Sequence, residues 1–135
     1  SPFLETFLVN TNELTEIDLT RNTSLRSINV YGNQLTELDV TKNTLVHTLY
    51  VQSNQLTGLD VANNPDLKML NLQSNQLATT ESVNSIYNQL PDRSGTEQGE
   101  ITVRYGGNSG HTTADHNIAL NKNWKVITNS GTLTP

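Results

Sequence analysis

The sequence predicts a solenoid, in which short units stack side by side and form one parallel β-sheet on the concave side. Large apolar residues and asparagines recur with a 21-residue period. The first half of each unit alternates apolar and polar residues, as a half-buried strand does. The apolar content of 33% is low for an ordinary core, but a solenoid unit needs only one apolar seam, shared with its neighbours. This period and residue pattern are the signature of leucine-rich repeats.

The repeated unit is clearest in the stretch Leu25–Leu45, which reads LRSINVYGNQLTELDVTKNTL. Equivalent stretches begin one period earlier at Leu4 and one period later at Val46, and the first half of another begins at Leu67. Residues 1–77 are therefore predicted to hold three full units and a half unit. One unit buries too few side chains to offset the entropy of ordering its backbone, so contacts between units and a cap at each end must stabilise the stack.

Each unit is predicted to contribute one short strand, because apolar and polar residues alternate around the middle of its first half. The predicted strands are Phe7–Val9, Ile28–Val30, Leu49–Val51 and Leu70–Leu72. The second half of the unit repeats the same pattern, as in Leu35-x-x-Leu38-x-Val40. We therefore expect the convex side to be mostly extended, with short strand-like pieces and little helix.

Two rows of asparagines are predicted to be structural. Chain reversal turns backbone groups inward, where each needs a hydrogen-bond partner, and an asparagine amide can both donate and accept. The first row is Asn12, Asn33, Asn54 and Asn75, and the second is Asn22, Asn43 and Asn64.

An aspartate also recurs, at Asp18, Asp39 and Asp60. Identical positions of stacked parallel units lie about 5 Å apart, so these carboxylates repel one another unless each is neutralised or hydrogen-bonded. Calcium held between units is one alternative, because carboxylate oxygens suit that ion. The other is hydrogen bonding to nearby amides or to hydroxyls such as that of Thr20 or Thr41. The sequence lacks the glycine-rich alternation of calcium-binding β-rolls, which favours hydrogen bonding.

Residues 78–135 are predicted to cap the stack within the same structural domain. A helix should begin after Thr79 or Thr80 and end at Pro91, because its apolar residues recur at i, i+3, i+4 and i+7. We expect a strand over residues 99–105, a short helix over residues 114–122 and a last strand over residues 124–127. Trp124 is predicted to be a core residue of the final turn. Two strand-and-helix turns would then continue the concave sheet.

The units, written L-x-x-L-x-V-x-x-N-Q-L-T-x-L-D-V-x-x-N-x-x, resemble the 21-residue leucine-rich repeats of bacterial surface proteins, including internalin-like proteins and many from Bacteroidetes. The stretches Val30–Val40 and Val51–Val61 carry this resemblance most clearly. Members of the family often have cysteine at three positions where this chain, which has no cysteine, has valine or leucine. Those three positions are Val30, Val51 and Leu72.

The tail also resembles the C-terminal cap of such proteins, through Gln89–Gly95, Ile118-Ala119 and Lys122–Val126. Glycine is usual before the tryptophan, and Asn123 replaces it here with a residue that can also adopt the left-handed conformation. The resemblance implies an exported or surface-attached protein that binds other macromolecules and has no enzymatic activity.

The residues offer little support for catalysis, a metal or a cofactor. No Ser-His-Asp order, nucleophile elbow or phosphate-binding loop occurs. The segment His111–His116 could supply three metal ligands, but without cysteine or a second cluster the signal is weak. We therefore predict no catalytic residue, metal site or cofactor.

The concave face is the predicted binding surface. Side chains at the third, fifth, seventh and eighth positions of each unit should face solvent, and we call these rows concave columns three, five, seven and eight. They are Thr6, Ser27, Thr48, Met69; Leu8, Asn29, Tyr50, Asn71; Asn10, Tyr31, Gln52, Gln73; and Thr11, Gly32, Ser53, Ser74. These columns are uncharged, and Tyr31 and Tyr50 are their only aromatic residues. The predicted ligand-binding residues are Asn29, Tyr31, Tyr50, Gln52, Asn71 and Gln73.

Exposed tyrosine among amides is typical of protein-binding surfaces, because tyrosine buries a large area at small entropic cost. The leading hypothesis is therefore a secreted or cell-surface module that binds a protein, as a monomer. A glycan is the second hypothesis, because a ring can stack on a sugar while amides bind its hydroxyls, and a structural spacer in a longer adhesin is the third. A net charge of −5 argues against nucleic acid, and no apolar run approaches the roughly 18 residues of a membrane span.

Overall fold

The computed structural model describes residues 3–135. Its strands form one seven-stranded sheet in chain order, in which the first six are parallel and the last is antiparallel to its neighbour. The strands are β1 (Thr6–Leu8), β2 (Ser27–Asn29), β3 (Thr48–Tyr50), β4 (Met69–Asn71), β5 (Gly99–Thr102), β6 (Trp124–Thr128) and β7 (Gly131–Leu133). The helices are α1 (Thr80–Gln89) and α2 (Asn117–Leu120), with a 3-10 turn at Ser109–Thr112. The predicted solenoid with a parallel concave sheet is confirmed.

The repeats stack in constant register. Ser27 lies opposite Thr48 and Thr48 opposite Met69, so each step across the sheet advances the chain by one repeat period. The four repeat strands begin and end one residue earlier than predicted. The apolar residue predicted to begin each strand, such as Ile28, is therefore the central residue of that strand and points inward.

The core is the shared apolar seam of the stacked units. Its fully buried side chains come from equivalent positions in successive repeats and continue into the C-terminal region. They include Leu25, Val46 and Leu67; Ile28, Leu49 and Leu70; Val30, Val51 and Leu72; and Leu35, Leu56 and Leu77. Val30, Val51 and Leu72, at the positions where the repeats that this sequence resembles often have cysteine, thus fill the interior with apolar atoms instead.

The convex side of the repeats is extended and turned, with no helix between β1 and β4 in the described chain. One tight turn recurs, in which the N–H of Asn43 donates to the carbonyl of Val40 at 3.0 Å and that of Asn64 to Val61 at 3.1 Å. The predicted extended convex side is confirmed. The strand-like pieces expected there do not pair into strands.

The first asparagine row links neighbouring units from inside. The Nδ2 of Asn54 donates to the carbonyls of Val30 and Val51, at 3.0 and 3.1 Å, and its Oδ1 accepts from the N–H of Leu35 at 3.0 Å. Asn33 and Asn75 make the equivalent bonds with their own turn and with the preceding unit. Each of these side chains therefore satisfies backbone groups on two adjacent units at once.

Asn12 departs from the predicted row. Its side chain is exposed, and its Nδ2 donates to the carbonyl of Asn10 at 2.8 Å, within its own turn. A further member of the row was missed in the sequence: Asn108 is 1% exposed, accepts from the N–H of Leu77 at 3.0 Å and donates to the carbonyl of Leu72 at 2.7 Å. The bonded row therefore runs from Asn33 to Asn108 and not, as predicted, from Asn12 to Asn75.

The second asparagine row links the convex turns. Asn43 Nδ2 donates to the carbonyls of Leu19 and Asn22 at 3.0 and 2.9 Å, and Asn64 repeats this with Val40 and Asn43 at 3.1 and 2.8 Å. Both side chains are fully buried, whereas Asn22, in the first unit, is half-buried. Both rows thus bond from one unit to the unit before it.

Helix α1 begins as the sequence predicts. Thr79 caps it by accepting from the N–H of Ser82 at 3.1 Å, and Ser82 returns a bond to the Thr79 backbone. Val83, Ile86 and Tyr87 face the core and are buried. The helix thus places its apolar face on the last repeat, where the extended convex segments would otherwise continue.

Lys122 holds the other end of α1. Its Nζ donates to the carbonyls of Tyr87, Asn88 and Leu90, at 3.2, 2.7 and 3.0 Å. The carbonyl of Tyr87 also accepts from the N–H of Leu90 at 3.3 Å. The last carbonyls of a helix generally lack intrahelical donors, and a cation is favoured at this negative end of the helix dipole. One side chain therefore fastens α1 to the segment that leads into β6.

Trp124 is fully buried, and its Nε1 donates to the carbonyl of Pro91 at 2.8 Å. Gly99 lies against its ring, where an added Cβ would come within 2.6 Å of the indole. Asn123 has a φ of 63°, the left-handed conformation for which glycine is usual in the resembling caps. The predicted core role of Trp124 is confirmed.

Two other predicted elements of the C-terminal region are shorter in the structure, whereas the last predicted strand, over residues 124–127, extends one residue further to Thr128. The strand expected over residues 99–105 ends at Thr102, and the helix expected over residues 114–122 is reduced to α2, preceded by the 3-10 turn. The edge strand β7 was not predicted, because all three of its residues are exposed and Leu133 is the one large apolar side chain among them. Within residues 3–135, none of the helices combines the length and apolarity needed to cross a bilayer.

Candidate functional site

The outward face of the sheet is built by simple alternation. In β2 the central Ile28 is buried, while Ser27 and Asn29 on either side are half-buried and point to the opposite face. Asn29 lies opposite Tyr50 in β3, and Tyr50 opposite Asn71 in β4. The side chains of one column therefore follow one another across the sheet, about 4.8 Å apart.

Column eight is a row of left-handed residues. Thr11, Ser53 and Ser74 have φ values of 52°, 57° and 58°, and Gly32 has a φ of 73°. Tyr105 continues the row with a φ of 64°. The same turn thus recurs at the end of each strand from the first unit into the capping region, and the concave face continues with it.

The two predicted tyrosines lie on neighbouring strands. Tyr31 is 40% exposed and Tyr50 is half-buried. Tyr50 pairs with Asn29, which is two residues before Tyr31, so the rings occupy diagonal positions on the face. One ligand of modest size can contact both.

The amides of Asn29 and Asn71 have a structural role that the sequence analysis missed. Asn29 Oδ1 accepts from the N–H of Tyr31 at 3.2 Å, and Asn71 Oδ1 accepts from that of Gln73 at 3.0 Å. These bonds hold the backbone of column seven as it leaves the strand. Column-five asparagines thus position the column-seven side chains, in addition to offering their amide nitrogens to a ligand.

The two predicted glutamines differ from each other. Gln73 Oε1 accepts from Arg104 Nε at 3.0 Å. Gln52 Oε1 is buried and has no hydrogen-bond donor among the described residues.

The sequence analysis missed the contribution of the capping region to this face. Register places Thr102 after Asn71 in column five, so Arg104 and Tyr105 continue columns seven and eight. Tyr105 is 48% exposed, and the Arg104 guanidinium lies 4.9 Å from the centre of its ring. The alternation Ile101-x-Val103, aligned with Leu70-x-Leu72, could have identified both residues.

The C-terminal end of the face, unlike the predicted columns of the repeats, is charged. Glu100 lies opposite Met69 in register and Lys125 lies opposite Glu100, so both residues continue column three. Their charged groups pair at 3.6 Å. Arg104 adds a third charge, whereas the columns of the repeats themselves contain none.

The aspartate row lies on the opposite, convex side, where Asp18, Asp39 and Asp60 line a shallow groove. Asp18 Oδ1 accepts from the hydroxyl and the N–H of Thr20 at 2.6 and 3.0 Å, and Asp39 does the same with Thr41 at 2.6 and 2.9 Å. The hydroxyl bond first, and then the backbone bond, lower the pKa of both carboxyls. In the described chain, no group of three or more His, Cys, Asp or Glu side chains is arranged to hold a metal.

The two histidines of the segment His111–His116 lie inside the capping region. His116 Nδ1 is 2.9 Å from the Tyr87 hydroxyl, with the two rings edge to face at 5.8 Å, and His111 is 4% exposed. Burial lowers the pKa of both imidazoles and raises that of the Tyr87 phenol. Their geometry is that of a packed polar cluster inside the cap.

Comparison with known proteins gives a likeness at the level of the fold. No protein-family model matches the chain, and no curated protein does. Among solved structures, the chain is similar to a protein described as "Functional domain of InlJ from Listeria monocytogenes includes a cysteine ladder", with 26% identity and a TM-score of 0.52. The match covers 76% of this chain and 28% of that one. Stacked 21-residue units, their parallel sheet and this likeness together identify the fold as a leucine-rich repeat solenoid.

Proposed function

We propose that the chain is a non-catalytic recognition module that binds a protein partner through the concave face, in a secreted or cell-surface protein of internalin-like type. The observation that carries the proposal is the placement of the aromatic residues. Tyr31, Tyr50 and Tyr105 lie on the concave face or its rim and are partly accessible, whereas Tyr87 and Trp124 are buried in the core. Exposed tyrosine on a rigid sheet is a common anchor of protein interfaces.

The rigidity of the face supports this assignment. The backbone under columns five and seven is fixed by the strand register, by the bonds of Asn29 and Asn71 within their own turns and by the buried asparagine row. A surface that is ordered before it binds loses less conformational entropy on binding. The location and the internalin-like relationship rest on the family resemblance of the repeats and cap, and on the likeness to InlJ.

The test is the double substitution Tyr31→Ser with Tyr50→Ser. We expect binding of the partner to weaken by at least about 2 kcal/mol, the scale of an interface hot spot. The free energy of unfolding should change by no more than about 1 kcal/mol, because exposed side chains seldom matter more. Calorimetry with the partner, and thermal melting without it, give the two measurements.

The matched control is Glu37→Ser with Lys42→Ser, which alters two exposed side chains on the convex side. It should leave affinity and stability unchanged. If the tyrosine variant bound as tightly as the unaltered chain, the site would lie elsewhere than on the concave face.

Carbohydrate binding is the second candidate function. It is favoured by the partly accessible rings of Tyr31 and Tyr50, which lie among the amide side chains of columns five and seven. A sugar can stack on a ring while its hydroxyl donates to an amide oxygen. A glycan array and a pull-down from host or bacterial extracts separate the two candidates. Specific binding on the array, with no protein retained, would favour the carbohydrate.

A further inference from the structure

We infer that the concave face selects partners that present an acidic side chain, and that Arg104 is the residue that binds this carboxylate. The inference rests on the proposed function and specifies the chemistry of the partner: a protein or peptide segment with an aspartate or glutamate at the point of contact.

Arg104 is the one charge on the concave columns that is not neutralised by another side chain of the described residues. Lys125 and Glu100 neutralise each other at 3.6 Å. Arg104 has no carboxylate within salt-bridge distance in residues 3–135. Glu100 lies four residues earlier in the chain, about 13 Å away along an extended backbone. The face therefore carries a local positive charge on a chain whose net charge is −5.

The guanidinium is held in place by two neighbours. Its Nε donates to Gln73 Oε1 at 3.0 Å, and its central carbon lies 4.9 Å from the centre of the Tyr105 ring. These contacts use one N–H and one face of the planar group, and the donors of the two terminal nitrogens remain. A planar fork in fixed orientation is the geometry that binds a carboxylate through two parallel hydrogen bonds.

The surroundings make this charge effective. Arg104 is half-buried and its neighbours in column seven are uncharged amides, so a carboxylate placed there is less screened than at a fully exposed site. The accessible ring of Tyr105 lies beside it and can pack against the aliphatic part of the same partner residue. A protein or peptide fits this environment because an aspartate or glutamate side chain combines a carboxylate for Arg104 with an aliphatic part for the Tyr105 ring.

The experiment is a selection of random linear peptides displayed on phage, performed in parallel on the full chain and on Arg104→Gln. Peptides selected on the unaltered chain should be enriched in aspartate or glutamate at one position. That enrichment should be absent from the pool selected on the variant. Lys42→Gln removes the same charge from the exposed convex side, so its pool should match that of the unaltered chain.

A single selected peptide then gives the pairwise test. Replacing its acidic residue by the amide should weaken binding to the unaltered chain by about 10- to 100-fold, the value of a hydrogen bond to a charged group. The same replacement should have little effect on binding to Arg104→Gln. Arg104→Lys should restore only part of the difference, because lysine keeps the charge and loses the planar fork.

The outcomes separate this inference from the proposed function. Selected peptides that need Tyr31 and Tyr50 but show no acidic preference, or keep it with Arg104→Gln, would overturn the inference and leave the proposed function standing. Peptides whose binding ignores both tyrosines and Arg104 would overturn both. Failure to select any peptide, or binding of uronic-acid oligosaccharides in place of peptides, would also overturn the inference.

Discussion

The two ends of the repeat stack contain nearly the same residues in very different surroundings. In the first unit Leu4 is 37% exposed, whereas its equivalents Leu25, Val46 and Leu67 are fully buried. Asn12 is exposed, while Asn33, Asn54 and Asn75 are buried and bonded to the unit before them. The same motif thus gives a surface side chain or a core side chain, according to whether a neighbour lies on its N-terminal side.

The C-terminal end has the opposite character. The last repeat residues, Leu67, Leu70, Leu72 and Leu77, are as buried as those in the middle of the stack. Residues 78–135 cover them with β5, α1 and the bonds of Asn108. Burial in this fold therefore belongs to the interface between units and not to the unit itself.

The largest expected effect comes from damaging the covered end. Trp124→Ala should lower the free energy of unfolding by about 3–5 kcal/mol, because it removes a fully buried aromatic side chain. Thermal melting should show one transition at a lower temperature for the whole chain, since the sheet is continuous from β1 to β7.

Tyr31→Ala is the matched control, because it removes an aromatic ring that is 40% exposed. Its effect on unfolding should stay within about 1 kcal/mol. Truncation after Leu77 is the harsher form of the test, and we expect that chain to aggregate or melt at low temperature. A truncated chain that is soluble, monomeric and cooperatively folded would show that the capping region is dispensable.

A smaller loss of stability should distinguish a buried member of the asparagine row from the exposed Asn12. Asn54→Ala leaves the N–H of Leu35 and the carbonyls of Val30 and Val51 without that partner, and should destabilise the chain by about 1–3 kcal/mol. Asn12→Ala removes an exposed side chain bonded within its own turn, and should cost less than about 0.5 kcal/mol. Denaturant unfolding of the two variants measures the difference. Equal losses of stability would mean that the bonds between units add nothing to the bonds within each turn.

The smallest effect should be a dependence on pH that arises in the capping region. Burial lowers the pKa of His111 and His116 below the ordinary value of 6.5. Below pH 6.5 the unfolded chain therefore binds more protons than the folded chain, so stability should be complete above that pH and decline as the pH falls through it. The lowered carboxyl pKa values of Asp18, Asp39 and Asp92 affect stability only below about pH 3.8. The pH range of the carboxyl contribution therefore lies below the range in which the histidine contribution begins.

Melting temperatures measured in steps between about pH 7.5 and pH 5 test this histidine contribution. The decline should be shallower in His111→Asn with His116→Asn. A melting temperature that stays constant or rises on acidification of the unaltered chain would contradict it.

The repetitive part of the fold could be predicted because its signal occurs several times. The period, the concave strands and the inward seam follow from residues that recur at fixed spacing, and the start of α1 follows from local capping chemistry at Thr79. Asn108 could not be placed by period. It lies five residues after Val103, whereas Asn75 lies three after Leu72. Two glycines, Gly106 and Gly107, separate the strand from the bonding residue.

The candidate site was predictable only where it lies on repeats. Tyr31, Tyr50, Gln52 and Gln73 could be assigned to columns by counting, and the register agrees with that count. Arg104 and Tyr105 required the alignment of β5 with β4, which the helix α1 separates by more than one repeat period. The capping function of Lys122 depends on three carbonyls that are distant in sequence, and no local pattern indicates such a contact.

The direction of the asparagine bonds determines how the chain is completed during synthesis. Asn33 accepts from the N–H of Leu14, Asn54 from that of Leu35 and Asn75 from that of Leu56, always in the preceding unit. A chain that emerges from the ribosome N-terminus first therefore leaves this N–H of its newest unit without its asparagine partner until the next unit has been translated. The last of these groups is the N–H of Leu77, whose partner is Asn108. The stack thus reaches its full set of bonds only after translation has passed into the cap.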